Sequence, residues 1–467
     1  MNKKLLIFFV LLLASKTTFA QTSTFYGNFA PTVSHLVPAK ESEAFPKTVV
    51  IKPNFKGRDD NSVVQSPNHN IDWLWQQHQN MEKSTSATIL WNSTGLGQNV
   101  SPPDPTVDAD SSIVIMSANG NGGSVYRIFN KTTGATVASS LSMQTLGGPA
   151  GAGDPIVLYY KPARRWFLME FSNSGNKLIV HVSQTNNPQG AYNTYQFTCP
   201  AFPDYPKWSF SQSSDAFLVS TNEGGPPRVY AMKLSSLLTG ATSPFIGIPI
   251  GYSLNGFGFQ SITPVDLEGD LAAPAGMKPL FVRHRDDERH SNGTPDSGTN
   301  DWIELWEMTI NWTNSTATVA KTQDIAIGEI DSDLCGLTSF TCIPQPGTTV
   351  KLDPLRETVM YKAPMRVFSD HQAMVLSLST DVSGSNRAGV RWVEIRRASG
   401  SLGTWSLYQE GTYAPGATLN RWMPAINIDK HGNIIMAYST SSGTTGEFPS
   451  IMMTGRKPCD PLGQMTM

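Results

Sequence analysis

The chain has 467 residues, with 35 Lys+Arg against 37 Asp+Glu, only 15% charged residues, 39 Gly, 32 Pro and 10% aromatics. The balanced charge gives no footing for nucleic acid or an anionic membrane as partner. Low charge with many turn formers predicts short strands joined by tight turns in one large all-β domain.

Lys3 and Lys4 precede the apolar run LLIFFVLLL (5–13), and a polar stretch ends on the small residue Ala20. This reads as a signal peptide over residues 1–20, cleaved after Ala20. No apolar run approaches the roughly 20 residues that a membrane span needs. The expected product is secreted or held at the cell surface, with no transmembrane segment. Residues 21–85 are polar and uneven, with one helix-like patch, IDWLWQQHQNMEK (71–83). They read as an N-terminal arm leaning on the main body.

From residue 86 the texture changes to short alternating segments, among them ATILW, SIVIMSAN, SVYRIF, KLIVHVS and AFLVSTN. Alternation of period two with Gly, Pro and Asn breaks predicts strands throughout. One plan recurs in DPTVDADSSIVIMSAN (104–119), DPIVLYYKPARRWFLMEFS (154–172), YPKWSFSQSSDAFLVSTN (205–222) and RWMPAINIDKHGNIIMAYSTSS (421–442), and more loosely in ITPVDLEGDLAAPAGMKPLFVRH (262–284). A proline opens a short strand, a polar turn reverses the chain, and a more apolar strand leaves. The first three prolines lie roughly 50 residues apart, the length of a four-stranded antiparallel blade. Residues 86–458 are therefore predicted to form a β-propeller. Counting strands gives six blades, and mean spacing gives seven as the alternative. The last blade shows only three strands, and ATILW is expected to supply the fourth and close the ring. Residues 459–467 are expected to be a linker or the start of a further region.

Four cysteines are present, and Cys335 and Cys342 bracket a short segment that a local disulfide would close. The pairing of Cys199 and Cys459 is left open, and no C-x-x-C spacing supports zinc.

Several longer stretches carry a resemblance. They are FPDYPKWSFSQSSDAFLVSTNE (202–223), CIPQPGTTVKLDPLRETVMYKAPMRVFSDHQAMVLSLSTD (342–381), AGVRWVEIRR (388–397), WSLYQEGTYAPGATLNRWMPAINIDKHGNIIMAYSTSS (405–442) and DPLG (460–463). Together they resemble a family of large, uncharacterised secreted bacterial proteins whose fold is similar to sialidase propellers. The resemblance implies a secreted propeller, often followed by further modules, and carries no catalytic assignment.

In a propeller, residues just before each innermost strand line one mouth of the central channel. Those expected there are Asp104, Asp154, Asp204, Arg366, Asp370, His371, Arg421 and Trp422. Carboxylates can act as acid, base or metal ligand, and tryptophan stacks on sugar faces. Asp before Pro is equally a common turn device. Sialidase chemistry is disfavoured, because the S-x-D-x-G-x-x-W repeat is absent. Arg391, Glu394, Arg396 and Arg397 are expected to form exposed cross-strand pairs. RHRDDERH (283–290) reads as a solvated loop, DADSS (108–112) as a hairpin turn, and residues 429–433 as another turn. GGPAGAG (147–153) leads into a strand and makes no phosphate cradle. No metal ligand set and no cofactor are expected, a structural calcium ion being the one allowance. The first functional reading is a module binding an extracellular glycan or protein. The alternative is a glycoside hydrolase or polysaccharide lyase with its site at the channel mouth; whether the chain is an enzyme is left open.

Overall fold

The computed structural model describes residues 21, 23–35, 48–49, 72, 74, 90–93, 95–96 and 100–467, the last stretch without 121, 173, 251–260, 291–299, 336–340, 356–357 and 445. The signal-peptide reading and most of the helix-like patch lie outside these residues. Among the described residues no helix is long and apolar enough to cross a membrane.

The architecture is all-β, in a β-propeller arrangement of consecutive meanders. The N-terminal chain supplies β1 (Thr24–Phe29), β2 (Thr32–His35) and β3 (Thr48–Val49), and β3 pairs in parallel with β4 (Val100–Ser101). The first meander is β5 (Thr106–Ala109), β6 (Ile113–Gly120), β7 (Gly123–Asn130) and β8 (Thr136–Ser142). The second is β9 (Gly153–Tyr160), β10 (Arg165–Ser172), β11 (Lys177–Ser183) and β12 (Ala191–Thr198), with β2 added at its outer edge. The third is β13 (Asp204–Ser211), β14 (Ala216–Asn222), β15 (Arg228–Lys233) and β16 (Ser243–Pro249), with β1 added. The fourth is β17 (Thr263–Glu268), β18 (Leu280–Arg285), β19 (Asn300–Asn311) and β20 (Thr316–Gly328). The fifth is β21 (Ala363–Val367), β22 (His371–Asp381), β23 (Ala388–Ala398) and β24 (Ser406–Tyr413). Parallel pairing of β17 with β21 joins the fourth and fifth into one eight-stranded sheet. The last meander has three strands, β25 (Asn420–Ile428), β26 (Ile434–Ser441) and β27 (Ser450–Arg456).

Strand periodicity explains why the meanders stack. Successive side chains on a strand point to opposite faces. On β10, Trp166 and Leu168 pack with Ile115 and Tyr126 of the first meander, while Phe167, Met169 and Phe171 face the third. On β14, Phe217 and Val219 face the second meander, and Ala216 and Leu218 face Phe281 and Trp306 of the fourth. On β23, Trp392 and Val390 meet Ile426 and Met436 of the last meander, and Val393 and Ile395 face back into the fourth. Both faces of these central strands are therefore apolar, as buried sheets require.

Prolines mark the starts of the innermost strands: Pro105, Pro155, Pro206, Pro264, Pro364 and Pro424. In four cases the preceding residue has positive φ: Asp104 (37°), Asp154 (51°), Tyr205 (50°) and Met423 (50°). Left-handed backbone is costly for residues with a side chain. Here it accompanies a break in ladder register in β9, β13 and β25. A bulge of this kind bends the strand and sharpens its twist. In β17 and β21 the residues before proline keep ordinary φ, and these two strands bond each other instead.

The expected closing strand ATILW lies mostly outside the described residues. No described residue of the N-terminal arm pairs with the last sheet. Trp91 instead stacks on Phe129 of β7 and donates its indole N–H to the Lys131 carbonyl at 2.7 Å. The arm contributes β1 and β2 as outer edge strands, which need only backbone pairing. Residues after β27 fold back, with Met465 buried in the cluster around Trp392 and the Thr466 N–H bonded to the Gly455 carbonyl at 2.8 Å. Cys335 and Cys342 are disulfide-bonded, with Cα atoms 5.8 Å apart, while Cys199 is buried and Cys459 exposed, both free.

Trp392 is fully buried between the fifth and last meanders. Trp392→Ala is expected to cost about 3–5 kcal/mol, measured by denaturant unfolding.

Candidate functional site

The innermost strands run in a common direction around the channel, so it has an upstream end where they begin and a downstream end where they finish. The expectation that eight residues share one mouth is corrected by their positions. Asp104, Asp154, Asp204, Arg421 and Trp422 lie upstream. Arg366 sits near the end of β21, and Asp370 and His371 form the turn into β22, all downstream. Pro364 opens the innermost strand of the fifth meander, so the β21–β22 turn stands at that strand's far end and not at its start.

At the upstream end several of these side chains are engaged by the protein itself. Asn119 ties two of the aspartates together: its Nδ2 donates to Asp104 Oδ2 at 2.8 Å, and its Oδ1 accepts the Asp154 N–H at 2.9 Å. Glu170 is buried beneath Gly123 and Gly151, and accepts the Ser124 N–H at 2.9 Å. Burial pushes its carboxyl up to about 7, against the opposing hydrogen bonds from Ser124. Trp422 is only 3% exposed, in an apolar cluster with Leu334, Ile343 and Ala388, so it has no face for a sugar. Arg421 is buried with its guanidinium 5.6 Å from the Tyr413 ring centre.

At the downstream end a cavity of about 710 Å³ opens into the channel. Asp108, Tyr159, Phe210, Glu268, Arg366 and Lys430 line it, one from each meander. Period two puts Asp266 and Glu268 on the same face of β17, and both line the cavity. Lys362, just before β21, reaches across to both: its Nζ lies 2.9 Å from Asp266 Oδ2 and 2.5 Å from Glu268 Oε1. Burial pulls the Lys362 ammonium down, but Glu268 and Asp266 outweigh it and hold the proton firmly.

The carboxylates respond differently. Burial raises Asp266 and the charge of Lys362 only partly offsets this. Burial also acts on Glu268, but Lys362 by charge and hydrogen bond, helped by Arg366 and Lys161, carries it below its ordinary value. Glu268 gains the additional cationic influences of Arg366 and Lys161, which are not among the causes acting on Asp266. Asp108, on β5, accepts the Tyr159 N–H at 2.8 Å and the Ala109 N–H at 2.7 Å. Burial, opposed by Lys362 and reinforced by the negative charge of Glu268, pushes its carboxyl up to about 6. Neighbouring cavity carboxylates thus differ in proton affinity, the condition for dividing acid and base roles.

Arg366 stands opposite Glu268 in the parallel β17–β21 register. Its Nε donates to the Ile428 carbonyl at 2.9 Å. Gly269, at φ 94°, leaves room for the guanidinium, since a Cβ there would collide with Nη1. Asp370 is an exposed rim residue, its side chain 80% accessible, and its Oδ1 lies 2.8 Å from His371 Nδ1. The His371 ring stacks on Phe368 at 4.6 Å. Residues 429–433 form the turn between β25 and β26, with Asp429 accepting the His431 and Asn433 N–H groups at 2.7 and 2.9 Å. That turn delivers Lys430 to the cavity.

A second charged assembly sits upstream on the fourth meander. RHRDDERH (283–290) is not a solvated loop: Arg283, His284, Arg285, Asp286, Asp287 and His290 are all buried. Arg283 Nη2 meets Glu304 Oε2 at 2.7 Å, and Asp286 accepts from the Ser332 N–H and hydroxyl at 2.9 and 2.8 Å. Asp287, Glu288, Asp301 and Glu329 offer carboxylate oxygens that all lie within 4.8 Å of one another. Hard oxygen donors in this number suit calcium or magnesium. These four could hold the structural calcium allowed for above. Asp301 and Glu329 come from β19 and from the chain after β20, distant in sequence from the charged run. Arg391 and Glu394 correct the exposed-pair reading, since both are completely buried. Arg391 Nη2 bonds Glu410 Oε2 at 2.5 Å and its Nη1 lies 3.5 Å from Asp72 Oδ1.

No family profile matches the chain, and no curated protein matches it. Solved structures give loose likenesses. An endo-arabinase from Bacteroides thetaiotaomicron matches with a TM-score of 0.32 at 11% identity, covering 66% of this chain and 95% of that one. An endo-arabinanase of family GH43 from Bacillus licheniformis gives 0.31 at 10% identity, covering 78% and 96%. The dihydro-heme d1 dehydrogenase NirN gives 0.34 at 12% identity, covering 75% and 56%.

Lys362→Met would leave Asp266 and Glu268 without their cation. It is expected to destabilise the fold by about 3–5 kcal/mol. Adding Asp266→Asn and Glu268→Gln should recover most of that loss, measured by denaturant unfolding at neutral pH.

Proposed function

We propose that this chain is a carbohydrate-active enzyme, a glycoside hydrolase whose site is the downstream cavity of a six-bladed propeller channel. The observation that carries the reading is the pair Asp108 and Glu268. They line one cavity of about 710 Å³, one pushed up to about 6 and the other held below its ordinary value. Glycosidic cleavage needs one carboxyl group that arrives protonated and one that arrives ionised. Asp108 is assigned the acid role, donating its proton to the leaving-group oxygen. Glu268, ionised beside Lys362, is assigned the role of base or nucleophile on the opposite side of the sugar. Tyr159, half-buried in the cavity lining, offers apolar ring surface for a sugar face.

Six blades rather than seven are supported by the six prolines at the inner strand starts and by a cavity lined from six meanders, the eight-stranded sheet counting as two. The leader-like residues 1–20 and the Cys335–Cys342 bond support action outside the cytoplasm.

The test is release of reducing ends from a polysaccharide panel. Asp108→Asn and Glu268→Gln are each expected to lower kcat by about 10²–10⁴-fold while the fold is retained. Glycan binding without turnover by the parent protein on every substrate would overturn the hydrolase in favour of a binding module.

The pH profile follows from the two groups. Activity should fall as pH rises through about 6, where Asp108 loses its proton. It should also fall in acid, where Glu268, lowered by Lys362, finally gains one. A profile without an alkaline limb near that value would remove Asp108 from the acid role.

A further inference from the structure

The cavity rim gathers cations from three meanders. Lys161 follows β9, Arg366 lies on β21, and Lys430 stands in the β25–β26 turn. Arg366 spends only its Nε, on the Ile428 carbonyl. Among the described residues its two terminal nitrogens carry no hydrogen bond and no ion pair, and Lys430 has neither. Lys161 pairs with Asp270, both side chains more than half exposed. Such an exposed pair is worth little and opens readily.

Asp270 pairs with Lys161 and also feels the charges of Arg366 and Lys430. Its proton affinity is lowered first by the hydrogen bond from Lys161, then by the charges of Lys161, Arg366 and Lys430. It stands on the exposed turn just after Gly269, the residue that lets the Arg366 guanidinium lie close to the backbone. The deeper carboxylates Asp266 and Glu268 are already engaged by Lys362. The rim therefore has the composition of a carboxylate site, with one of the chain's own carboxylates lying in it. A guanidinium with both terminal nitrogens open matches a carboxylate in two-point contact, which a neutral sugar cannot offer.

We propose that the cavity takes an acidic sugar, a uronate unit of a polysaccharide, whose carboxylate displaces Asp270 and is held by Arg366 with Lys430 and Lys161. This rests on the reading of the cavity as a glycan site. Asp270 then acts as a placeholder that keeps the three cations gathered in the free protein. An incoming uronate exchanges one carboxylate for another, so no cation is left uncompensated, whereas a neutral sugar gains nothing from the exchange.

The experiment is calorimetric titration of the full chain with oligogalacturonate, oligoglucuronate and alginate oligosaccharides. Each is set against its carboxyl-reduced, neutral counterpart, with a sulfated glucan oligosaccharide as control for charge alone. At least one uronate is expected to bind about tenfold or more tighter than its reduced form. Arg366→Gln and Lys430→Gln should each remove most of that preference, and Asp270→Asn should tighten uronate binding several-fold without changing the neutral ligand. Equal affinity for every acid and its reduced form overturns the inference. So does a preference that survives Arg366→Gln, equal binding of the sulfated glucan, or uronate binding unchanged or weakened by Asp270→Asn. The two readings fail separately. Cleavage of a neutral glycan with no acid preference sinks the uronate site and leaves the hydrolase. Acid preference without cleavage of any bond sinks the hydrolase and leaves the uronate site.

Discussion

The buried ammonium of Lys362 is the contact on which the rest of the channel depends. It lies between Asp266 and Glu268, on the strand next to the one it precedes. Burying any one of these charges alone would be strongly unfavourable. Together they are tolerable only while the starts of β17 and β21 stay in register, because that register sets the reach from Lys362 to both carboxylates. The parallel pairing of Val265 to Glu268 with Ala363 to Arg366 meets this condition. It also places Arg366 opposite Glu268. One ion cluster thus fixes the seam between two meanders, the ionisation of Glu268 and the position of the rim arginine.

The same seam explains a departure from regularity. Elsewhere the strand starts carry a left-handed residue before proline, accompanied in β9, β13 and β25 by a break in register that turns the strand. At β17 and β21 that kink is missing, and two inner strands form a ladder. A parallel ladder between inner strands brings opposite charges together in the low-dielectric interior, where their attraction is greatest.

Much of the fold was legible in the sequence because it rests on local signals. Period-two alternation located the strands, and the polar turns located their ends. The stretch 421–442, which mixes Arg, Trp, Asp and His, resolved into a strand, a turn capped by Asp429, and a second strand. Pro364 was missed as the repeat's proline, because the strand it opens follows a long irregular segment instead of a tight turn. That one omission placed Arg366, Asp370 and His371 at the wrong end of the channel. Asp108, Asp266 and Glu268 were visible only as polar residues in or beside predicted strands. The signal available was a carboxylate at the inward-facing position of an innermost strand, where an apolar residue would otherwise be expected. RHRDDERH reads as solvated by composition alone. Its burial comes from Asp301, Glu304, Glu329 and Ser332, which lie up to some four dozen residues away in sequence and are invisible to any local pattern.

The two ends of the channel differ in what their charges are free to do. Upstream, several charged side chains are spent on the protein itself. Asn119 ties Asp104 to the backbone of Asp154, Glu170 is sealed under glycines, and Arg391 is fully enclosed by Glu410, Asp72 and the carbonyls beside them. Removing any of these would leave a buried group unsatisfied, so they are bound to the fold. Downstream, Lys362 satisfies the inner carboxylates, while Arg366 and Lys430 face a cavity with their charge largely in hand. Solvation of those cations is the only alternative to a ligand, and a ligand that returns an anion in exchange for water and for Asp270 loses little on entry. The partition of charge between structure and rim favours the downstream mouth, over the ring of aspartates at the strand starts, for the glycan site proposed above.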